Sequence, residues 1–373
     1  MSNNIWQKEV ADKIKNKMAT VASRSGHKIP YTTNDGVFDD WTEKNICWWT
    51  NGFWGGIMWQ LYHATELEIY KSNAIDNELK LDRNLMDHQG MDHDSGFKWL
   101  TTAVANYRIN GNKESWNRGM LAADNLAGRY NLAGKYIRAW NDNGDGDKAG
   151  WAIIDCMMNL PLLYWAYKET NDPRYLHVAK SHANTTLEHF VREDGSVKHI
   201  VEFNPMTGEY IRTHGGQGCD ENSSWTRGQA WAIYGFVLSY THTKEIKYLD
   251  CAKKIADYFI KNTPENGLIP VDFRQPSDCS LEDSTAAAIA ACGMLEVAKE
   301  EKDEENNVYY ETAIKLLKSL VKERCNWSED SDYILEKCTA AFHDKDHEFS
   351  IIYGDYFFIE AIWKLIGEEL FIW

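Results

Sequence analysis

The strongest indication of acid–base chemistry is a polar pair inside an apolar stretch. Residues 151–169 read WAIIDCMMNLPLLYWAYKE, where Asp155 and Asn159 interrupt the apolar run. Pro161 is tolerated in the first turn of a helix but not in its interior, so we predict a helix start near residues 157–159. At a buried helix N-terminus, burial raises the pKa of a carboxyl group and the helix dipole lowers it. Asp155 is therefore either a capping residue or an acid that gives and takes a proton.

A second group of ionisable residues lies at positions 87–97, DHQGMDHDSGF. Histidine and aspartate ligate metals, but their spacing here matches no established metal motif. Asp92 or Asp94 could instead cap the helix that follows. In a third interpretation, Asp94 shares one pocket with Asp155, and the two carboxylates push their pKa values apart.

The glycine-rich loop in 214–231, HGGQGCDENSSWTRGQAW, leads into a helix. It follows no predicted strand and contains no Gly-Lys-Ser/Thr sequence, which argues against nucleotide binding. Arg227 falls in the first turn of that helix, where a cation opposes the dipole. We expect it either to grip a substrate carboxylate or to pair with Asp220 or Glu221.

The stretch 141–147, NDNGDGD, resembles a calcium-binding loop only in part. The closing glutamate of such a loop would fall at Ala152, so calcium binding is not expected. A flexible acidic lid next to Trp140, which could cover a sugar, is the favoured interpretation.

Helical periodicity recurs along the chain, and convincing alternating strands hardly appear. The predicted helices lie near residues 6–24, 53–70, 74–87, 93–109, 113–131, 156–170, 173–191, 226–243, 246–262, 283–300, 306–324 and 353–366. Short linkers lie at 110–112, 171–172 and 244–245, and long linkers at 25–52, 132–155, 192–225, 263–282 and 325–352. The long linkers hold Trp48, Trp49, Trp140, His199, His214, Gln217 and His343.

Alternating short and long linkers predict about six antiparallel helix pairs whose long loops open to one side. We therefore predict an all-α protein, an (α/α)6 barrel, with residues 1–373 as a single catalytic domain. The small-residue helix that follows Asp283 and Ser284, either of which could cap it, is expected to form an inner wall. An open helical superhelix is disfavoured because no fixed-period repeat occurs.

Composition excludes several classes of function. With 40 basic and 56 acidic residues the formal net charge is −16, which argues against partners such as nucleic acids and anionic membranes. The 16 tryptophans and 19 tyrosines suggest an aromatic surface suited to sugar rings. The eight cysteines form no Cys-x-x-Cys pair, and neither a signal-peptide run nor a membrane-length apolar stretch is present, so we expect a cytoplasmic protein.

Taken together, five motifs in a fixed order resemble a known enzyme family. They are Trp49-Thr50-Asn51-Gly52-Phe53-Trp54, His93-Asp94-x-Gly96-Phe97, Ile154-Asp155-x-x-x-Asn159-Leu160-Pro161, Ser224-Trp225-x-Arg227-Gly228-Gln229-Ala230-Trp231 and Asp283-Ser284-x-Ala286-Ala287. The pattern resembles the unsaturated glucuronyl hydrolases, glycoside hydrolase family 88, from about residue 40 to residue 360. A more distant resemblance is to the unsaturated rhamnogalacturonyl hydrolases of family 105.

The resemblance implies an (α/α)6 barrel that acts on oligosaccharides ending in a 4,5-unsaturated uronic acid, without a metal or an organic cofactor. It implies that Asp155 is the general acid and base and that Asp94 is the second essential aspartate. The substrate-binding residues implied by family position are Trp49, His93, Trp140, His199, Gln217, Arg227 and Trp231. It specifies neither the preferred uronide nor the oligomeric state.

Two other classes of function stay open on the residues alone. A non-catalytic helical-repeat scaffold would need no isolated buried aspartate and would show no activity on lyase digests. A sugar epimerase on a similar barrel would use histidine bases and would release no sugar.

Overall fold

Long apolar runs and amphipathic runs alternate along the chain, and each forms a helix. The computed structural model describes residues 5–142, 144, 146–301 and 307–373. The helices are α1 (Ile5–Ser25), α2 (Phe53–Thr65), α3 (Glu68–Lys80), α4 (Asp82–Leu85), α5 (Ser95–Trp99), α6 (Ala105–Asn110), α7 (Lys113–Gly128), α8 (Leu160–Thr170), α9 (Pro173–His189), α10 (Thr226–Thr243), α11 (Ile246–Asn262), α12 (Ser284–Ala298), α13 (Val308–Glu323) and α14 (Ile352–Ile366). A π-helical turn, Leu100–Val104, joins α5 to α6, and a 3₁₀ turn, Ile154–Met158, precedes α8.

The helices form two concentric layers. The inner ring consists of α2, the continuous α5–α6 segment, α8, α10, α12 and α14, whose buried residues extend around most of each helix. The outer helices α1, α3, α7, α9, α11 and α13 bury one face; in α11 that face includes Tyr248, Ala252, Ile255 and Phe259, at helical spacing. Each inner helix pairs with an outer one, and α14 returns to pack against α1 and α2. The predicted (α/α)6 barrel is confirmed.

Small residues set how closely the inner helices approach. A Cβ atom placed on Gly235 of α10 would lie 2.5 Å from the Cβ of Met157, and one on Gly293 of α12 would lie 3.0 Å from the backbone of Tyr234. The expected inner-wall role of α12 is correct. Asp283 caps that helix by accepting a hydrogen bond from the backbone N–H of Thr285.

Short strands, which the sequence did not predict, lie within the long loops. They are β1 (Thr33–Asn34), β2 (Val37–Phe38), β3 (Tyr130–Asn131), β4 (Tyr136–Ile137), β5 (Trp151–Ile153), β6 (Ile200–Phe203) and β7 (Tyr210–His214). The last three form an antiparallel sheet in the order β5-β6-β7. Strands of two to five residues are too short to show a clear alternation in sequence.

Two predicted helix boundaries were wrong. The helix predicted at 53–70 ends at Thr65, because Glu66 adopts a left-handed conformation with φ 57° and ends the hydrogen-bonded ladder. The next helix begins at Glu68 rather than near residue 74. Among the described helices, none combines the length and apolar character needed to cross a lipid bilayer.

Replacing Gly235 with alanine tests the close contact between α10 and the turn at Met157. The added methyl group has no room, so we expect the free energy of unfolding to fall by about 1–3 kcal/mol, measured as a lower urea midpoint. The matched control is Gly128→Ala, whose Cβ would meet no atom within 4 Å. Equal urea midpoints for the two variants would show that the contact is not tight.

Candidate active site

Two aspartates lie buried at the end of the barrel where the long loops meet. Asp155 follows β5 in the 3₁₀ turn and is 8% exposed, and Asp94 is the residue before α5 and is 6% exposed. Neither side chain makes a capping hydrogen bond to its helix. Asp92 instead accepts the backbone N–H of Asp94 at 3.0 Å. The capping interpretations for Asp94 and Asp155 are therefore wrong, whereas Asp92 does bind a backbone N–H just before α5.

Burial governs the charge of Asp155. Removal from water raises the pKa of its carboxyl group to about 7, while the positive charge of Arg227 and the indole N–H of Trp231 oppose that rise. A carboxyl group with a pKa near 7 can act as an acid and as a base at neutral pH.

The pKa of Asp94 is also raised, by burial first and then by the negative charges of Asp92 and Asp155. The positive charge of Lys98 and the side chain of Asn159 act in the opposite direction. The charge of Asp155 thus acts on Asp94, and the shared pocket of the third interpretation of residues 87–97 stays a prediction.

A histidine faces each carboxylate. Nε2 of His199 lies 3.6 Å from Oδ2 of Asp155, and neither atom has a hydrogen-bond partner among the described residues. Nε2 of His93 lies 3.4 Å from Oδ2 of Asp94. Burial lowers the pKa of both imidazoles to about 3, so both are neutral at neutral pH. The backbone N–H of Gln217 donates to Nδ1 of His199 at 2.9 Å, and the carbonyl oxygen of Gly215 lies 3.2 Å from the same nitrogen, so the loop at 215–217 fixes the orientation of the ring.

A cavity of about 540 Å³ opens beside Asp94, while Asp155 is not part of its lining. Its lining comprises Asn45, Cys47, Trp48, Trp49, Asp87, Gln89, Gly90, Asp92, Asp94, Trp140, Asn141 and Gln217. The lining combines three tryptophans with polar side chains, a composition suited to a sugar. The expected lid at 141–147 includes Asn143 and Asp145, which lie outside the described residues.

The three tryptophans expected to wall the substrate differ in position. Trp49 and Trp140 are half-buried and line the cavity. Trp231 has no exposed surface, because its ring packs against Phe97 at 5.0 Å and Phe357 at 5.3 Å between centroids. Trp231 therefore has no free face for stacking on a sugar, and its Nε1 makes no hydrogen bond to a described residue.

Arg227 is held by protein groups. Its Nη1 donates to Oδ2 of Asp283 at 2.7 Å and to the carbonyl of Thr339 at 2.6 Å, and its Nη2 donates to the carbonyl of Ala340. The predicted pairing with Asp220 or Glu221 was wrong, since the partner is the capping aspartate of α12. The buried guanidinium joins α10, α12 and the loop at 339–340, and its charge lowers the pKa of Asp155.

Asn159 contacts both aspartates, a role that its place in the motif did not predict. Its amide nitrogen donates to Oδ1 of Asp94 at 3.4 Å and to the carbonyl of Asp155 at 3.3 Å. Its oxygen accepts the backbone N–H of Phe97 at 2.8 Å. A Cβ on Gly96 would lie 2.5 Å from Cα of Asn159, so glycine allows this approach. The signal in the sequence was an amide within an apolar stretch.

The fold and two buried carboxylates, one of which lines an aromatic cavity, define a carbohydrate-active enzyme. The Glycosyl Hydrolase Family 88 model matches residues 10–357, and the chain belongs to that family. The predicted resemblance is confirmed, and the protein is a glycosidase.

Several characterised proteins are similar to this chain along most of their length. The unsaturated glucuronyl hydrolase of Bacillus sp. (strain GL1) is 34% identical over 373 residues, covering 97% of each chain. The unsaturated chondroitin disaccharide hydrolase of Streptococcus pneumoniae (strain ATCC BAA-255 / R6) is 34% identical, over 87% of this chain and 83% of the relative. The crystal structure of the Streptococcus agalactiae unsaturated glucuronyl hydrolase superposes with a TM-score of 0.91 at 30% identity, covering 100% of this chain and 95% of that chain.

Replacing Asn159 with aspartate tests the link between the carboxylates. The substitution removes the N–H donor to Asp94 and adds a third carboxyl group, so we expect the pKa of Asp155 to rise by about one unit or more, measured by ¹³C NMR of the side-chain carboxyl groups.

The matched control is Asn77→Asp. Asn77 is equally buried, donates to the carbonyl of Asn51 at 3.1 Å and accepts the N–H of Gly55 at 2.8 Å. If the pKa of Asp155 is the same in both variants as in the unsubstituted protein, Asn159 has only a packing role.

Proposed function

We propose that this glycosidase removes 4,5-unsaturated uronic acid from the non-reducing end of lyase-generated, glycosaminoglycan-type oligosaccharides, with Asp155 as general acid and base. The observation that carries the assignment is Oδ2 of Asp155: it is buried, lacks a partner among the described residues and belongs to a carboxyl group with a pKa of about 7. Similar proteins are named for this activity, and one related crystal structure contains dGlcA-GalNAc6S.

The chemistry follows from the vinyl ether that the ring oxygen forms with the C4=C5 double bond. Protonated Asp155 delivers its proton to C4, and the positive charge that develops at C5 is shared with the ring oxygen. The Asp155 carboxylate then takes a proton from the water that adds at C5, which restores the acid. The resulting hemiketal opens and the aglycone leaves. The reaction therefore consists of a proton transfer and a hydration, and the protein's own side chains suffice for both steps.

The neighbouring residues orient these steps. Nε2 of His199 lies 3.6 Å from Oδ2 of Asp155 and orients the incoming water beside that carboxylate. Asp94, with His93 beside it, binds the sugar hydroxyls. Trp49, Trp140 and Gln217 wall the cavity that receives the sugar.

Three other interpretations are less well supported. A family 105-like unsaturated rhamnogalacturonyl hydrolase is disfavoured because the matched family model is that of family 88. An epimerase would need basic histidines, and burial lowers the pKa of His93 and His199 to about 3. A scaffold would have no use for two buried carboxylates beside a cavity.

We also propose that residues 1–373 act as one catalytic domain in the cytoplasm. In support, one apolar cluster extends from Val10 to Trp373, and all eight cysteines are free.

Asp155→Asn tests the acid–base assignment. An amide cannot donate the required proton, so we expect kcat to fall by about 10²–10⁴-fold, followed as loss of the alkene's ultraviolet absorbance with unsaturated disaccharides. The matched control is Asp355→Asn, at another buried carboxyl group whose pKa burial raises to about 7. A change confined to KM for Asp155→Asn, or an equal loss of kcat for both variants, would contradict the assignment.

A single turnover in deuterated water tests the order of steps. We expect one deuterium at C4, on one face only, because protonation of the double bond comes first. A thio-linked substrate should still lose its alkene absorbance, since departure of the aglycone follows hydration, and a saturated glucuronide should be inert. Cleavage of the saturated glucuronide at a comparable rate would assign Asp155 to a conventional glycosidase mechanism.

A further inference from the structure

One face of the sheet β5-β6-β7 carries side chains that the proposed reaction does not use. Trp151 pairs with Glu202 across β5 and β6, and Glu202 pairs with Arg212 across β6 and β7, so the three side chains share a face. His214 lies two residues after Arg212 and falls on the same face. The rings of His214 and Trp151 are stacked, with centroids 4.3 Å apart.

This group of four residues, which we call the outer platform, adjoins the cavity at two points. The ring of Trp140, which lines the cavity, lies 6.2 Å from that of Trp151. On the other side, His214 leads directly through residues 215–216 to Gln217, which also lines the cavity. A chain of sugars leaving the cavity between Trp140 and Gln217 would therefore pass over the outer platform.

The platform has a fixed geometry and an accessible cation. Oε2 of Glu202 accepts hydrogen bonds from Nε of Arg212 and from Nε2 of His214, both at 2.8 Å. The bond to Glu202 uses only Nε of the guanidinium, and 62% of the Arg212 side chain is exposed. A second cation, Nζ of Lys148, lies 5.9 Å from the Trp151 ring and 6.0 Å from the Trp140 ring. On a chain with a net charge of −16, this placement of cations beside aromatic rings favours an anionic, ring-bearing ligand.

We propose that the outer platform is a binding subsite for an anionic sugar residue of the aglycone, beyond the sugars held in the cavity. The inference rests on the proposed function. The terminal N–H groups of Arg212 would bind a carboxylate or a sulfate ester in a forked arrangement, and the stacked rings would contact the sugar's C–H face. The subsite would make the enzyme prefer longer acidic chains over disaccharides.

Three probes test this subsite: an unsaturated disaccharide, an unsaturated tetrasaccharide whose third residue is a uronate, and the same tetrasaccharide with that carboxyl group reduced to an alcohol. For Arg212→Gln we expect the ratio of kcat/KM for the acidic tetrasaccharide to that for the disaccharide to fall about five- to tenfold. When the reduced tetrasaccharide replaces the acidic one, the ratio of kcat/KM to that for the disaccharide should be the same in Arg212→Gln as in the unsubstituted enzyme. A reduced tetrasaccharide that carries a sulfate ester on its third residue distinguishes a carboxylate-binding subsite from a sulfate-binding one. Its ratio should fall in Arg212→Gln only if the subsite binds sulfate.

The matched control is Arg174→Gln, at an arginine whose side chain is 57% exposed and pairs with Asp124. In this variant the ratio of kcat/KM for the acidic tetrasaccharide to that for the disaccharide should not change. An unchanged ratio in Arg212→Gln, or an equal fall with the reduced tetrasaccharide, would overturn the proposal. Calorimetric measurement of the binding of the same probes distinguishes a failure of the subsite proposal from a failure of the proposed function. If the enzyme turned over no unsaturated substrate, the proposed function would fail, while tighter binding of the acidic tetrasaccharide that depends on Arg212 would still support the subsite.

Discussion

Desolvation of two neighbouring carboxylates is the constraint on which the rest of the site depends. A barrel end built from apolar inner helices removes Asp94 and Asp155 from water, and the lost hydration raises the pKa of both. Lys98 and Asn159 oppose this rise at Asp94, and Arg227 and the indole of Trp231 oppose it at Asp155. In a wetter site, Asp155 would be ionised at neutral pH and would have no proton to give.

The ion pair of Arg227 with Asp283 shows how the barrel keeps a charge inside. Both side chains are almost fully buried, a placement that is stable only when every polar group is satisfied. The guanidinium also donates to two carbonyls and lies 4.6 Å from the ring of Trp225. Its position is therefore determined by α10, α12 and the loop at 339–340 together, and through it these elements influence the charge of Asp155.

The sequence predicted the architecture because the signals for it are local and repeated. Apolar runs and the alternation of linker lengths can be read within windows of about 20 residues, and Asp155 stood out against its apolar neighbours. The errors concern contacts between distant residues or single backbone angles. Asp283 is 56 residues from Arg227, and Asp94 is 65 residues from Asn159. The left-handed Glu66 and the closed surroundings of Trp231 depend on packing that residue type alone does not encode.

The closure of the ring has a consequence for the way the chain acquires its structure. The first helix, α1, packs against the last, α14, and Lys15 reaches Glu368 across 353 positions, while Lys17 binds the carbonyl of Asn326 across 309. Contacts of such long range slow folding. On the ribosome, the inner faces of the earlier helices remain uncovered until residues 352–373 have emerged. The nascent protein thus presents a long-lived apolar surface, a natural substrate for chaperones.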